Sequence, residues 1–287
     1  MIKIHENLIE KLLFLSASIS ASLTVLILGF MVVLGLPLLE GGLFFELLTQ
    51  PWSPHQQLYG IYPMLMGTLA IAFLGVVFAF PLSLGCASLI SVLGPRPVRF
   101  FLKRIVQFMT GVPTVIYGFV GIFLLVPFIR ELFQAGSGMC ILSASLMLAV
   151  LVSPTMILFF TDSFDQVPVS YLNAVDALGG SRIQKFLYVM LPCAWRGILT
   201  GLVLGTGRAI GDTLIALMIA GNAVQVPGSV LDSARTLTAH IALVIAADYE
   251  SLEFKSIFAC GLVLYLFTTI TVIGIRAFGT SGGRARR

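Results

Sequence analysis

The residues of this chain that could act on something crossing it lie in an otherwise apolar, glycine-rich stretch around Arg208 and Asp212. Arginine presents a planar fork of donors that suits tetrahedral oxyanions. Asp212 follows four residues on, so on a continuous helix both side chains would share one face and could pair. Two readings are open: a neutralised pair between packed helices, or a donor and its orienting carboxylate on an aqueous anion pathway. Arginine before aspartate is the weaker order for helix stability. An arginine at mid-membrane costs at least about 2.5–3.5 kcal/mol to insert. Helix stability alone is thus a poor reason for these charges, and the pathway reading is favoured.

A second constellation precedes it. Tyr171 to Leu178 can form a short helix, Gly179-Gly180 a turn, and Ser181 the cap of a second helix running to Leu191, before Pro192. Asp176, Arg182, Lys185 and Arg196 make this the longest polar segment between two apolar blocks. A short helix ending in glycine and projecting from an apolar bundle is a docking element. The alternative is a plain loop, which membrane proteins also have at this length.

The elements that must position these residues follow from composition. The chain has 287 residues, 58% hydrophobic and 10% charged, where soluble domains carry about 25% charged residues. Its solvent is therefore mostly lipid. Roughly 20 apolar residues span a bilayer, which gives six spans at about 12–37, 64–92, 105–129, 141–161, 197–221 and 257–277. The first is too long for the apolar core of a signal peptide. With the N-terminus inside, thirteen Lys and Arg fall on inner segments and only Arg130, Arg235 and Lys255 on outer ones. That bias sets both ends, and the loop 162–196, in the cytoplasm. The basic tail from Thr280 to Arg287 would then lie at the inner surface.

Within the fifth span Gly197, Gly201 and Gly205 recur every four residues, as do Gly207 and Gly211. Small residues at that spacing let helices approach closely in lipid, so this span is expected at the centre of the bundle, with Gly201, Gly205 and Gly211 as packing positions. Arg208 would lie roughly 17 Å from the inner edge at Gly197, near the middle of the apolar layer. Pro81 and Pro154 read as kinks, Pro63 and Pro127 as helix ends. On the outside, 40–62 reads as a structured turn around Trp52-Ser53-Pro54. Leu231 to Ala246 reads as a half-buried helix near the outer surface, plugging or gating the bundle.

Several classes are excluded. No basic run is interleaved with exposed aromatics, so nucleic acid is no partner. Four cysteines lack C-x-x-C spacing, and three histidines lack a metal-binding helix pattern, so no metal site or cofactor is implied. Ser137 has no histidine near it in sequence, which argues against an intramembrane enzyme. No phosphate-cradling G-x-x-x-x-G-K-[ST] loop is present, so the chain itself does not bind ATP. A transporter working alone would have no use for the 171–192 loop.

The spacing of that loop resembles permease subunits of binding-protein-dependent ABC importers, whose pattern is E-A-A-x3-G-x9-I-x-L-P. Asn173-Ala174-Val175, Gly179, Val189, Leu191 and Pro192 keep every interval, with Asn for Glu and Val for the second Ala and for Ile. Within that superfamily the chain is similar to permeases of phosphate-specific transport, through Gly67-Thr68, Gly111–Pro127, Gly207–Thr213 and Arg235–Ala242. The family's R-A-x-G-E-T maps onto Arg208, Asp212 and Thr213, and Trp52–Pro54 leans toward the C-type subunit.

The resemblance implies an all-α, type I ABC importer permease fold in a bacterial inner membrane, with residues 1–62 as an added helix and outer loop and 63–287 as the five-helix core. It also implies that Tyr171, Asn173, Ala174, Val175, Asp176, Gly179, Leu191 and Pro192 couple to an ATPase. The implied partners are a second homologous permease subunit, two ATPase copies and an external phosphate-binding protein. Hydrolysis would belong to the ATPases, so the chain is no enzyme. The cargo would be phosphate, with molybdate, tungstate or sulfate as the alternative.

Overall fold

The computed structural model describes residues 2–39, 43–134 and 136–281, which are almost wholly helical. Among the described residues six helices are long and apolar enough to cross a membrane: Ile9–Gly35, Tyr62–Leu93, Thr114–Phe133, Ile141–Asp165, Arg182–Gly211 and Leu252–Ile275. The count agrees with the sequence pattern. The basic tail lies, from residue 282 on, outside the described residues.

Helix α1 (Ile2–Leu39) leans on the last helix, α13 (Leu252–Ser281). Gly35 passes close to Phe258, and the Phe30 ring meets the Phe258 ring edge-on at 5.9 Å. The other faces of α1 expose Leu12, Phe14 and Leu26, as a lipid-facing helix must. A short helix α2 (Leu43–Thr49) then leads to a two-stranded antiparallel ribbon, β1 (Trp52–Ser53) against β2 (Leu58–Tyr59), with Trp52 opposite Tyr59. The ribbon buries Trp52, where the sequence predicted a structured turn.

The core pair is α3 (Tyr62–Ser88) and α7 (Ile141–Asp165). Gly75 lets Leu148 approach, and two hydroxyls cross between the helices: Ser145 Oγ to the Ile71 carbonyl at 3.3 Å and Ser83 Oγ to the Ser153 carbonyl at 3.4 Å. Of α7's most apolar window 72% is buried, against 28% for the fifth span. The central helix is thus the fourth span, not the fifth as the glycine spacing suggested. Glycines allow approach on one side of a helix only, and the other side of the fifth span is left open.

The third span also differs from expectation. Residues 96–110 form a separate helix, α4 (Arg96–Thr110), and the span begins after the Gly111-Val112-Pro113 break. Pro113 is extended (φ −59°, ψ 140°), which ends any helix running into it. The apolar residues from Ile105 to Met109 that the count had merged into the span belong to the amphipathic α4. Its Phe101, Ile105 and Phe108 are exposed while Val106 is buried.

The span itself is α5 (Thr114–Val120), a wide π turn (Gly121–Leu125) and α6 (Val126–Phe133). Pro127 therefore does not end the helix. Proline removes one N–H and crowds the carbonyl four residues back, and the wide turn absorbs both. The same device recurs before Pro192. Helix α8 (Val169–Ala177) is followed by α9 (Arg182–Lys185), a π turn (Phe186–Met190) and α10 (Leu191–Gly211) without interruption. The second loop helix thus runs through Leu191 instead of stopping there. Two short helices, α11 (Leu214–Ile219) and α12 (Leu237–Val244), complete the end of the bundle opposite the basic loops.

Candidate functional site

Helix α10 carries the site because of its glycines. Added Cβ atoms at Gly201 and Gly205 would stand 2.8 Å from the Phe160 ring and 2.7 Å from Met156 Cγ, so α7 and α10 touch backbone to side chain. At 100° per residue, Arg208 falls at the edge of this row, where it gives way to an exposed strip of Thr200, Leu204 and Gly211. Gly211, expected as a packing position, lies on that exposed strip, where an added Cβ would meet nothing within 4 Å among the described residues.

Arg208 is exposed, and its Nη1 donates to Thr155 Oγ1 of α7 at 3.2 Å. Thr155 stands fourteen residues from Ile141 and ten from Asp165, which puts the guanidinium roughly 15–20 Å from either end of α7, near mid-span. A cation at that depth, held by one neutral hydroxyl, cannot face hydrocarbon without a penalty of several kcal/mol. Its open side must be met by water, an anion or another chain.

Asp212 forms no salt bridge with Arg208, which corrects the shared-face expectation, although the Arg208 charge still acts on its carboxylate through space. The chain turns extended at Asp212 (φ −71°, ψ 129°), so the four-residue helical spacing no longer applies. Its Oδ2 accepts the Ile215 N–H at 2.9 Å and caps α11, while the Thr213 carbonyl accepts from Leu217 N–H at 2.9 Å. A carboxylate three residues ahead of a helical N–H is an N-cap signal legible in the sequence.

Sequence reasoning missed what surrounds Asp212. Thr238 Oγ1 donates to the Asp212 carbonyl at 2.9 Å and lies 3.0 Å from Thr236 Oγ1. The Leu237 N–H donates to Thr68 Oγ1 at 2.9 Å, and Thr68 in turn donates to the Met64 carbonyl. Thr68, Asp212 and Thr236 line a cavity of about 10 Å³, the size that holds one water. The helix expected from Leu231 to Ala246 is confined to α12. It is inserted into the bundle end, with Leu237, Ala239 and His240 fully buried.

His240 abuts the Trp52 ring edge-on at 4.3 Å, and neither ring nitrogen has a hydrogen-bond partner among the described residues. Burial, helped by the nearby Arg235 charge, pushes its pKa down to about 4, so the imidazole is neutral at physiological pH.

The loop expected to dock a partner is built from three local devices. Gly179 has φ +73°, a left-handed turn that glycine enters without strain. Val175 folds back over Gly180, whose N–H donates to the Val175 carbonyl at 2.9 Å. Ser181 and Gln184 form a reciprocal capping box. Lys185 Nζ meets Asp176 Oδ2 at 2.6 Å and ties α8 to α9. Tyr171 is 55% and Leu178 89% exposed, and Asn173, Ala174 and Pro192 are exposed beside them, whereas Leu191 is half-buried.

The family model for binding-protein-dependent transport system inner membrane components matches residues 79–280. The chain belongs to that family. Among the relatives of this family member is a probable ABC transporter permease protein YqgH of Bacillus subtilis, 33% identical over 228 residues that cover 78% of this chain and 74% of that protein. The probable phosphate transport system permease protein PstC of Methanocaldococcus jannaschii is 29% identical over 276 residues, 88% of this chain and 87% of its own. PstC of Pasteurella multocida is 28% identical over 240 residues, 77% and 75%.

Among solved structures, a bacterial ABC transporter for import of the acidic polysaccharide alginate aligns with TM-score 0.60 at 13% identity, over 92% of this chain and 95% of that one. The MetNI methionine ABC transporter aligns with TM-score 0.59 at 18% identity, over 79% and 98%. These neighbours share the fold of the permease, a type I ABC importer fold, and at such identities nothing more. The chain is a multipass membrane permease.

Proposed function

We propose that this permease subunit carries inorganic phosphate across a bacterial inner membrane into the cytoplasm as part of an ATP-driven importer. The observation that carries the reading is Arg208: a mid-span guanidinium on the open side of α10, bound only to the Thr155 hydroxyl among the described residues. A tetrahedral oxyanion passing along that side would receive its planar donors. The relatives named as phosphate transport permeases favour phosphate among the oxyanions.

The open strip of α10 supports a second homologous permease subunit closing the pathway, which makes the pair a heterodimer. The basic loops face the cytoplasm in this reading, as do both termini. Two ATPase copies dock on exposed Tyr171 and Leu178, one on each permease of the pair. A force on α8 passes through the Asp176–Lys185 pair to α9 and along the unbroken helix to Arg208. At the opposite end, the 52–59 ribbon and the segment leading into α12 receive an external binding protein. The permease moves no bond of ATP and is not itself an enzyme.

The test is accumulation of labelled phosphate by proteoliposomes holding the assembled importer, with molybdate, tungstate and sulfate as competitors. ATP-dependent accumulation that none of the three suppresses at equal concentration supports phosphate. Uptake of a competitor in place of phosphate keeps the architecture and refutes the cargo.

A further inference from the structure

Outside the pathway, a concentration of positive charge among the described residues lies where α3 ends. There a cavity of about 700 Å³ is lined by Ser91, Arg96, Arg99, Leu172, Arg182 and Lys185, with the Val92–Pro95 turn as its floor. Four cations converge on it, and Asp176, which pairs with Lys185, offsets one of them. Arg99 uses only Nε, donating to the Gly94 carbonyl at 2.9 Å, so its two terminal nitrogens remain free.

Three features point to an oxyanion. The Ser91 hydroxyl is buried with no hydrogen-bond partner among the described residues. Pro95 precedes α4 without a side-chain cap, so the Arg96 and Val98 N–H groups have no intrahelical acceptor and the positive end of the helix faces the same corner. Arg96 and Arg182 make no ion pair or hydrogen bond among the described residues, and both are exposed. The pocket is also at the membrane surface. Helix α4 carries exposed Phe101, Ile105 and Phe108 along one side and Arg104 stacked 4.2 Å over Phe100 on another, the pattern of a helix lying in the lipid interface.

We infer that this pocket binds a phosphate oxyanion at the inner membrane surface, supplied by the headgroup of an anionic phospholipid or by free inorganic phosphate. Arg96, Arg99 and Arg182 hold the oxygens, the Ser91 hydroxyl donates to one of them, and the α4 phenylalanines rest among the acyl chains. An occupant here touches both the α3–α4 corner and Leu172 of the docking helix, so it sets how α8 sits on the bundle. The inference does not depend on which anion the pathway carries.

The experiment is native mass spectrometry of the full chain in neutral detergent, titrated separately with phosphatidylglycerol, phosphatidylcholine and inorganic phosphate. Four proteins are compared: wild type, Arg96→Ala/Arg182→Ala, Ser91→Ala, and Lys103→Ala/Arg104→Ala, which removes two charges outside the pocket. Wild type should bind one phosphatidylglycerol saturably and prefer it to phosphatidylcholine. The pocket pair should weaken that binding about 25-fold, about fivefold per cation, and the control pair about threefold or less. Ser91→Ala, which leaves every charge in place, should weaken it by up to about tenfold.

Saturable binding of inorganic phosphate with no preference for phosphatidylglycerol would assign the site to the free anion instead. Equal weakening in both double variants, or no saturable binding of either anion, overturns the inference. So does unchanged phosphatidylglycerol binding in the pocket pair together with lost ATPase docking, which would give these cations to a protein partner.

Discussion

Gly201 and Gly207 lie on the same helix but meet opposite surroundings, so one substitution made at both sites tests whether α10 has a packing side and an open side. A Cβ at Gly201 would stand 2.8 Å from Phe160 Cε1 and 3.0 Å from Phe159 Cβ, while one at Gly207 meets nothing within 4 Å. Carbon pairs rest at about 3.5–4.0 Å, so Gly201→Ala forces α7 and α10 apart by roughly 0.7 Å or turns a fully buried Phe160. Overpacking of this kind costs about 1–3 kcal/mol, and the better helix propensity of alanine returns up to about 1 kcal/mol.

The net for Gly201→Ala is a loss of about 0–3 kcal/mol. Gly207→Ala keeps only the propensity gain of up to about 1 kcal/mol. The two variants should therefore differ by about 1–3 kcal/mol, or roughly 2–10 °C in melting temperature. The assay is thermal unfolding of the purified chain in one detergent, followed by intrinsic tryptophan fluorescence. Equal melting temperatures, or a Gly207→Ala protein less stable than Gly201→Ala, would refute the assignment of the two sides.

Other outcomes follow from the same geometry. His240 has its pKa depressed to about 4, below an unfolded value near 6.5, so its contribution is complete above pH 6.5 and falls as pH drops toward 4. At pH 5 the loss is about 2 kcal/mol. His240→Phe should remove most of that acid sensitivity in melts between pH 7.5 and pH 5, and an unchanged pH slope would contradict it. Gly179→Ala places a side chain at φ +73° and should cost about 1–2 kcal/mol locally. It should lower substrate-stimulated ATP hydrolysis by the assembled importer more than it lowers the permease's melting temperature, and normal stimulation would exclude a coupling role for the turn. Thr155→Val leaves Arg208 without its hydroxyl partner and should reduce transport several-fold while leaving assembly intact, as size-exclusion of the complex would show.

The six spans and the Gly179–Ser181 turn were legible in the sequence because each rests on a local rule. Apolar length sets a span, Ser181 with Gln184 sets a cap, and Gly179 sets a left-handed residue. The break at Asp212 was passed over, although the N-cap signal of a carboxylate three residues before the Ile215 N–H stands in the sequence. What residue spacing does not announce is that the Asp212 carbonyl, past the end of α10, accepts from Thr238, 26 residues away.

Pro127 and Pro192 read as helix ends, but a wide turn ahead of each lets the helix continue, a compensation that residue type does not announce. The central position of α7 was hidden for another reason. Its buried Ser143, Ala144, Ser145, Ala149 and Ser153 are small residues of the kind that pack helices in lipid, a signal passed over because the regular glycine spacing of α10 stands out. Arg208 was visible as a charge in an apolar run, and only the fold places it on the open side with Thr155 as its neighbour.

The most direct measurement compares wild type, Arg208→Ala and Arg208→Lys in proteoliposomes holding the assembled importer, with labelled phosphate uptake and ATP hydrolysis read in the same vesicles. An Arg208 that meets the passing anion requires that Arg208→Ala lose uptake by at least about tenfold, the worth of one charged hydrogen bond. ATP hydrolysis should persist, and Arg208→Lys should recover part of the transport. Uptake by Arg208→Ala equal to wild type would contradict the account and leave the guanidinium a contact between subunits.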